Sequence, residues 1–264
     1  MVHVNLVGNN NIIMNAPFLS IVIFVRDLPQ LFSLTMDSIL KQSFKDFEII
    51  VIDQVNKEEI FDPYSDQIEH IEVILEGGLG YLMQSGLEKA KGKYIQFLLT
   101  GDSFLGENAL NNLFSNLKKD PDLIFCSYIK RDIDTLPYVE KFPFSRRFLA
   151  KGILPSRFES ILIKTAAIYK VKGVDIRYNY RPNLNLLSKL FLKKNKYVEF
   201  NRVIVDCEMR KKPTTDLFRR FIETYLVIEK NFGRFASLKW LLSQNYISLL
   251  SSIYNKTKKA FYGR

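Results

Sequence analysis

The chain is poor in the residues that build disulfide and zinc scaffolds. Among 264 residues it has two cysteines, Cys126 and Cys207, and two histidines, His3 and His70. The cysteines lie too far apart in sequence for a disulfide framework or a zinc motif, so both read as reduced core thiols. Neither histidine has a partner pattern, which leaves surface or core roles for them. No early segment joins a charged start to an apolar run, as a secretory signal does. No apolar stretch reaches the roughly 18 residues of a membrane helix. From these absences we expect a cytoplasmic protein. Internal repeats and low-complexity tracts are also missing.

The remainder is an ordinary globular composition, 47% hydrophobic and 25% charged. The length suits one large domain, or a domain with an appendage, and can bury a substantial core. The net charge of +10 is unevenly placed: residues 211–264 carry eleven Lys and Arg against three Asp and Glu. A basic tail of this kind attracts polyanions.

Leu19 to Val25 is a β-branched run of strand length, suited to a sheet buried on both faces. Leu28, Phe32, Met36, Ile39 and Leu40 follow at helical spacing. Phe47 to Ile52 is a second buried strand, stopping at Asp53. Ile71 to Leu75 reads as a third strand, broken by Gly77-Gly78. A helix is expected from about Tyr81 to Ala90, and a strand from Tyr94 to Leu99 that runs into Gly101-Asp102. Glu107–Leu117 reads as a surface helix and Leu123–Ile129 as a strand, with a long loop from Asp132 to Phe158. Pro182–Leu192 is expected to be an amphipathic helix and Val198–Val205 a strand. From Leu217 the pattern is helical, in two pieces divided near Gly233. This order predicts an α/β fold with acidic residues at the carboxyl ends of neighbouring parallel strands, where open sheets bind ligands. An Asp closing a buried strand also suits a helix cap, and that alternative stands for Asp53 and Asp102.

Several segments carry a resemblance. Ser20-Ile-Val-Ile-Phe-Val-Arg-Asp27 is similar to an opening strand written S-I-I-I-P-V-Y-N, and Ser38-Ile-Leu-Lys-Gln-Ser43 to S-I-L-x-Q-T. Glu48 to Glu58 follows E-I-I-V-V-D-D-G-S-T-D. Gly78 to Gly86 resembles G-L-Y-D-A-M-N-K-G, and Phe97 to Asp102 resembles F-L-N-S-G-D. With these in order, the chain resembles the family 2 glycosyltransferases over roughly Leu19 to Val205. The resemblance implies a GT-A fold: a Rossmann-like, mixed but mostly parallel sheet flanked by helices. That domain would span 17–210, with a basic helical extension over 211–264 packed on it. It also implies inverting transfer of a sugar from a nucleotide diphosphate to a glycan or lipid-linked acceptor, with a Mg²⁺ or Mn²⁺ cofactor. The positions implied for the donor are Arg26, Asp27, Asp53, Asn56, Gly78, Gln84, Gly101 and Asp102. Asp102 is also the implied metal ligand, since hard cations take oxygen.

The acceptor side departs from the family. Gly173 to Tyr178 matches a G-F-D-x-x-Y segment, yet Asn183-Leu-Asn185 stands where D-Y-D is expected. Asn183 can orient a hydroxyl but cannot take its proton. Gln54 replaces a second Asp, and Leu99 an Asp or Asn of the metal motif. Two readings follow. One is an active transferase whose base comes from elsewhere, with Glu159, Asp175 and Asp132 as candidates beside Asn183. The other is a catalytically inactive domain that binds a nucleotide sugar or a protein partner. In the tail, apolar stripes flanked by Lys and Arg suit either helices packed on the domain or contact with an anionic membrane through 235–264. The latter would make the protein peripheral on the inner membrane face. No nucleic-acid module accompanies the charge, so nucleic acid is not expected as a partner.

Overall fold

The computed structural model describes residues 16–117, 119–130, 138–207 and 216–244. Strand β1 (Leu19–Val25) is buried at every position, as an unbroken apolar run requires of a strand covered on both faces. It is flanked by β2 (Phe47–Asp53) and β4 (Tyr94–Leu99), both parallel to it. β3 (His70–Val73) adds in parallel beyond β2. On the other side of β4 the sheet becomes mixed. β8 (Ile161–Lys164) runs antiparallel between β4 and β6 (Leu123–Lys130), and β6 pairs in parallel with β9 (Tyr197–Asp206). β5 (Ser103–Phe104) closes this edge against β9, and β7 (Tyr138–Glu140) pairs with β6. The order is β3-β2-β1-β4-β8-β6-β9-β5, with six of the nine described strands running one way.

Two cores sandwich the sheet. Phe32, Met36 and Ile39 of α1 (Phe32–Leu40) and Leu110 and Leu113 of α3 (Ala109–Ser115) cover one face. The other face packs on Leu82, Met83 and Leu87 of α2 (Leu79–Lys89) and on Ile168 of α5 (Thr165–Lys170). Leu186, Leu187 and Leu190 of α6 (Pro182–Leu192) join the same core. So do Val227, Ile228 and Phe232 of α7 (Asp216–Phe232) and Trp240 of α8 (Arg234–Leu242). The C-terminal helices therefore share the core of the sheet domain. They break at Gly233, whose φ of 91° suits glycine.

Some boundaries moved. The first helix starts at Phe32, because Leu28 takes a left-handed conformation (φ 53°) and Pro29–Leu31 forms a 3₁₀ turn. α2 begins at Leu79, two residues before the expected start. β3 ends at Val73, leaving Leu75 60% exposed. The expected loop from Asp132 to Phe158 contains β7 and a short helix, α4 (Arg146–Leu149). Asp132, the expected division near residue 210 and the last twenty residues lie outside the described residues.

Candidate functional site

The carboxyl ends of β1, β2 and β4 meet on one edge, since Val25 pairs with Asp53 and Phe24 with Leu99. Thr100 ties the β4 end to the β1 end, its hydroxyl donating to the Asp27 carbonyl at 2.5 Å. The acidic residues on this edge do different work. Asp53 is fully buried, and its carboxylate accepts the backbone N–H groups of Val55 at 2.9 Å and Lys57 at 3.1 Å. It shapes the loop that carries Asn56. Asp102 is also fully buried, and its Oδ2 accepts the Leu99 N–H at 2.8 Å. Asp27 and Asn56 are exposed, and Asn56 sits at φ 53°, a left-handed position that asparagine tolerates. Arg26 is half-buried, and its Nε has no hydrogen-bond partner among the described residues. Gly101, at φ 94°, turns the chain between Leu99 and Asp102 and donates its N–H to Thr35 Oγ1 at 2.9 Å.

The glycines before α2 pack closely against the 178–179 backbone. The N–H groups of Leu79 and Gly80 donate to the carbonyls of Asn179 and Tyr178. A Cβ on Gly78 would lie 1.8 Å from Asn179 Oδ1, and one on Gly80 would lie 2.6 Å from the Tyr178 carbonyl. Both glycines are there for close backbone packing. Gln84 is likewise structural: Oε1 accepts the Val174 N–H at 2.9 Å and Nε2 donates to Glu88 at 2.8 Å.

Beside the strand ends lies a narrow cleft with an aromatic floor. Phe24, Phe97 and Phe158 stack in series, with ring centroids 5.7 Å apart at each step. These rings line the cleft with Leu79, Met83, Leu98 and Leu99, and the polar residues in its wall are Glu159 and Asn183. Asn183 reaches it from the first turn of α6. Glu159 arrives on the turn before β8, its carbonyl held by Gln96 Nε2 at 2.8 Å. Arg157, which the sequence patterns did not flag, pairs with Glu159 through Nε at 3.2 Å. Burial opposes the Arg157 charge, but Glu159 beside it and Asp102 nearby outweigh that and raise its pKa. Asp175 is not part of this wall. Its carboxylate is bound by Arg177 at 2.8 Å and Lys230 at 2.7 Å. Chiefly through the Arg177 hydrogen bond, and against the effect of burial, it is held well below the usual carboxylate range. A carboxylate so engaged is a weaker proton acceptor than a free one.

Among the described residues no group of three or more His, Cys, Asp or Glu is placed to cage a metal. Asp102, fully buried, is a carboxylate of the hard oxygen type that divalent cations take. Magnesium is commonly held by one or two carboxylates and phosphate oxygens.

A mixed, mostly parallel sheet with polar groups gathered at the carboxyl ends of β1, β2 and β4 is the GT-A class of α/β domain. The family model for glycosyl transferase family 2 matches residues 20–175, more than half of the chain, and the chain belongs to that family. It is 27% identical to EpsJ, an uncharacterized glycosyltransferase of Bacillus subtilis, over 51% of this chain and 41% of that protein. It is 24% identical to an uncharacterized glycosyltransferase of Rickettsia prowazekii, over 90% of this chain and 77% of that one. In fold it is similar to residues 1–349 of S. aureus TarS solved with UDP (TM-score 0.63, 14% identity, 81% and 64% of the two chains). It is also similar to the mannosyltransferase PcManGT of Pyrobaculum calidifontis, solved with GDP-Man and Mn²⁺ (TM-score 0.62, 12% identity, 95% and 77%). The chain spans about two-fifths of the length of EpsJ and of a longer TarS chain.

Proposed function

We propose that this chain is an inverting glycosyltransferase that moves a sugar from a nucleotide diphosphate to a hydroxyl of a glycan or lipid-linked acceptor, in polysaccharide, lipopolysaccharide or glycolipid synthesis. The observation that carries this reading is the pairing of Glu159 and Asn183 in one cleft beside the strand ends. Arg26, Asp27 and Asn56, the groups left accessible on that edge, meet the donor's nucleoside and diphosphate. The acceptor hydroxyl lies against Asn183, which orients it, and Glu159 takes its proton as the oxygen attacks the anomeric carbon. The bond from that carbon to the diphosphate oxygen breaks from the opposite face. A divalent cation at Asp102, when bound, neutralises the leaving diphosphate. The test is release of nucleotide diphosphate from a panel of nucleotide sugars. We expect release in the wild type and its loss in Glu159→Gln, with donor affinity kept.

Asn183 also favours a second reading. It stands where the resemblance places an aspartate, so the domain would bind a nucleotide sugar, or a partner, without turnover. Binding without release in the wild type would select that reading.

The acceptor side of the proposal includes an anionic membrane surface. Phe218, Ile222 and Leu226 on α7 are 53%, 41% and 44% exposed, and Phe235, Leu238 and Leu242 on α8 are 82%, 50% and 80% exposed. Each trio forms one stripe at helical spacing, with exposed Arg219, Arg234 and Lys239 beside them. Apolar faces with basic flanks suit an anionic lipid interface. Each basic residue near such a surface adds about 1 kcal/mol. No described helix is long and apolar enough to cross a membrane. On this reading the protein works in the cytoplasm, against the inner membrane face.

A further inference from the structure

Glu223, on α7 and away from the sheet edge, accepts hydrogen bonds from three consecutive backbone amides. Oε1 takes the N–H of Asn179 at 2.9 Å, and Oε2 takes those of Tyr180 at 2.8 Å and Arg181 at 2.9 Å. Hydrogen bonds to an ionised acceptor are roughly twice as strong as neutral ones, so this is a firm grip on a loop that has no other regular structure. The same loop holds two parts of the cleft. The carbonyls of Tyr178 and Asn179 receive the N–H groups of Gly80 and Leu79, fixing the first turn of α2. Two residues after Arg181, in the first turn of α6, comes Asn183. Leu79 and Asn183 both line the cleft.

Three neighbouring contacts from the same helix repeat the pattern. Thr224 Oγ1 accepts from Arg181 Nε at 2.9 Å, Lys230 pairs with Asp175 at 2.7 Å, and Asn231 donates to Asn185 at 3.0 Å. All lie on α7, beyond the residues that the family model covers. From this arrangement we infer that Glu223 is a positioning residue for the cleft. It sets the 178–183 loop, and through it the placement of both Leu79 and Asn183. The C-terminal extension is thus a working part of the site as well as a packed appendage.

The deciding experiment is amide hydrogen exchange on the full chain carrying Glu223→Gln, which keeps the size and removes one acceptor oxygen and the charge. We expect exchange at Asn179, Tyr180 and Arg181 to quicken at least tenfold. Leu79 and Gly80, which never touch Glu223, should quicken with them, while Val22 and Ile50 in the sheet stay unchanged. Val227→Ala provides the control: it loosens α7 from within the core without touching the loop, and should not single out Leu79 and Gly80. The inference is overturned if Leu79 and Gly80 exchange as in the wild type, or quicken only by the factor seen at Val22 and Ile50. Should Glu223→Gln not fold, Glu223→Asp, which withdraws the carboxylate by one methylene, is read the same way. A second arm rests on the proposed transferase reading: Glu223→Gln should lower turnover at least tenfold with the donor Kd within twofold. Absent turnover in the wild type would count against that reading alone, since the exchange arm decides the positioning role by itself.

Discussion

Replacing Asn183 by aspartate puts a proton acceptor where the cleft has an amide. The perturbation is small in shape. Asn183 occupies the second position of α6, and its Oδ1 accepts the Leu184 N–H at 2.8 Å, a bond an aspartate oxygen can keep. A negative charge in the first turn of a helix is favourable by about 0.3–1 kcal/mol. For a chain of this size that raises Tm by roughly 1–3 °C. The opposing term is Glu159 in the same cleft, because two nearby carboxylates raise one another's pKa; Arg157, paired with Glu159 at 3.2 Å, offsets part of that. A positioned general base contributes roughly 10²–10⁴-fold to a proton-transfer step. Where Glu159 already serves as the base, a second acceptor should change release little; on the second reading, a cleft that binds without turnover, Asn183→Asp supplies the base and should raise nucleotide release from the preferred donor, with acceptor present, by about 10²-fold or more. Tm should hold or rise slightly. The assay is coupled detection of UDP or GDP, with donor affinity measured on the same samples. On that second reading, a variant that binds donor as before and releases it no faster would refute the reasoning, because a missing base would then not be what holds turnover back.

Further outcomes follow from the same geometry. Gly80→Ala would place a Cβ 2.6 and 2.7 Å from the carbonyls of Tyr178 and Asp175, so it should cost about 1–3 kcal/mol, read as a lower urea midpoint; an unchanged midpoint would show the contact to be soft. Asp175→Asn should destabilise at pH 7. Because the folded-state pKa of Asp175 is depressed, its contribution is present above the unfolded value of about 3.9 and fades as pH falls below it. The gap between melting curves of variant and wild type should therefore narrow as pH falls below about 4, and a constant gap down to about pH 2 would contradict the ion-pair account. Phe235→Glu with Leu242→Glu should abolish co-sedimentation with phosphatidylglycerol vesicles, and equal pelleting of both forms would remove the membrane face.

The central sheet was legible because β1, β2 and β4 are buried on both faces and read as unbroken apolar runs. In the mixed half β6 and β9 were legible too, but β5, β7 and β8 were not. β8 spans four residues and runs directly into α5, and β5 spans two, too little for any period to show. At the site, position was readable and orientation was not. Asp27, Asp53 and Asp102 lie at the carboxyl ends of β1, β2 and β4, as the strand order implied, with Asp27 exposed and the other two fully buried. The signal for Asp53 was the polar turn after it, whose Val55 and Lys57 amides it caps. Gly78 and Gln84 sat inside a matched motif, yet their contacts are with 174 and 179, about a hundred residues along the chain. Glu223 left no local trace because its partners are backbone amides more than forty residues earlier.

The account rests on the carboxyl edge of β1, β2 and β4 receiving a nucleotide diphosphate. Titration of UDP- and GDP-sugars into the full chain, with and without Mn²⁺, tests that directly by calorimetry and by thermal shift. At a ligand concentration about 100 times Kd, binding adds about 2.7 kcal/mol, a rise in Tm of roughly 5 °C or more. We predict that rise for at least one donor, larger with Mn²⁺, with the metal effect absent in Asp102→Asn. No heat and no shift with any of them would contradict the account.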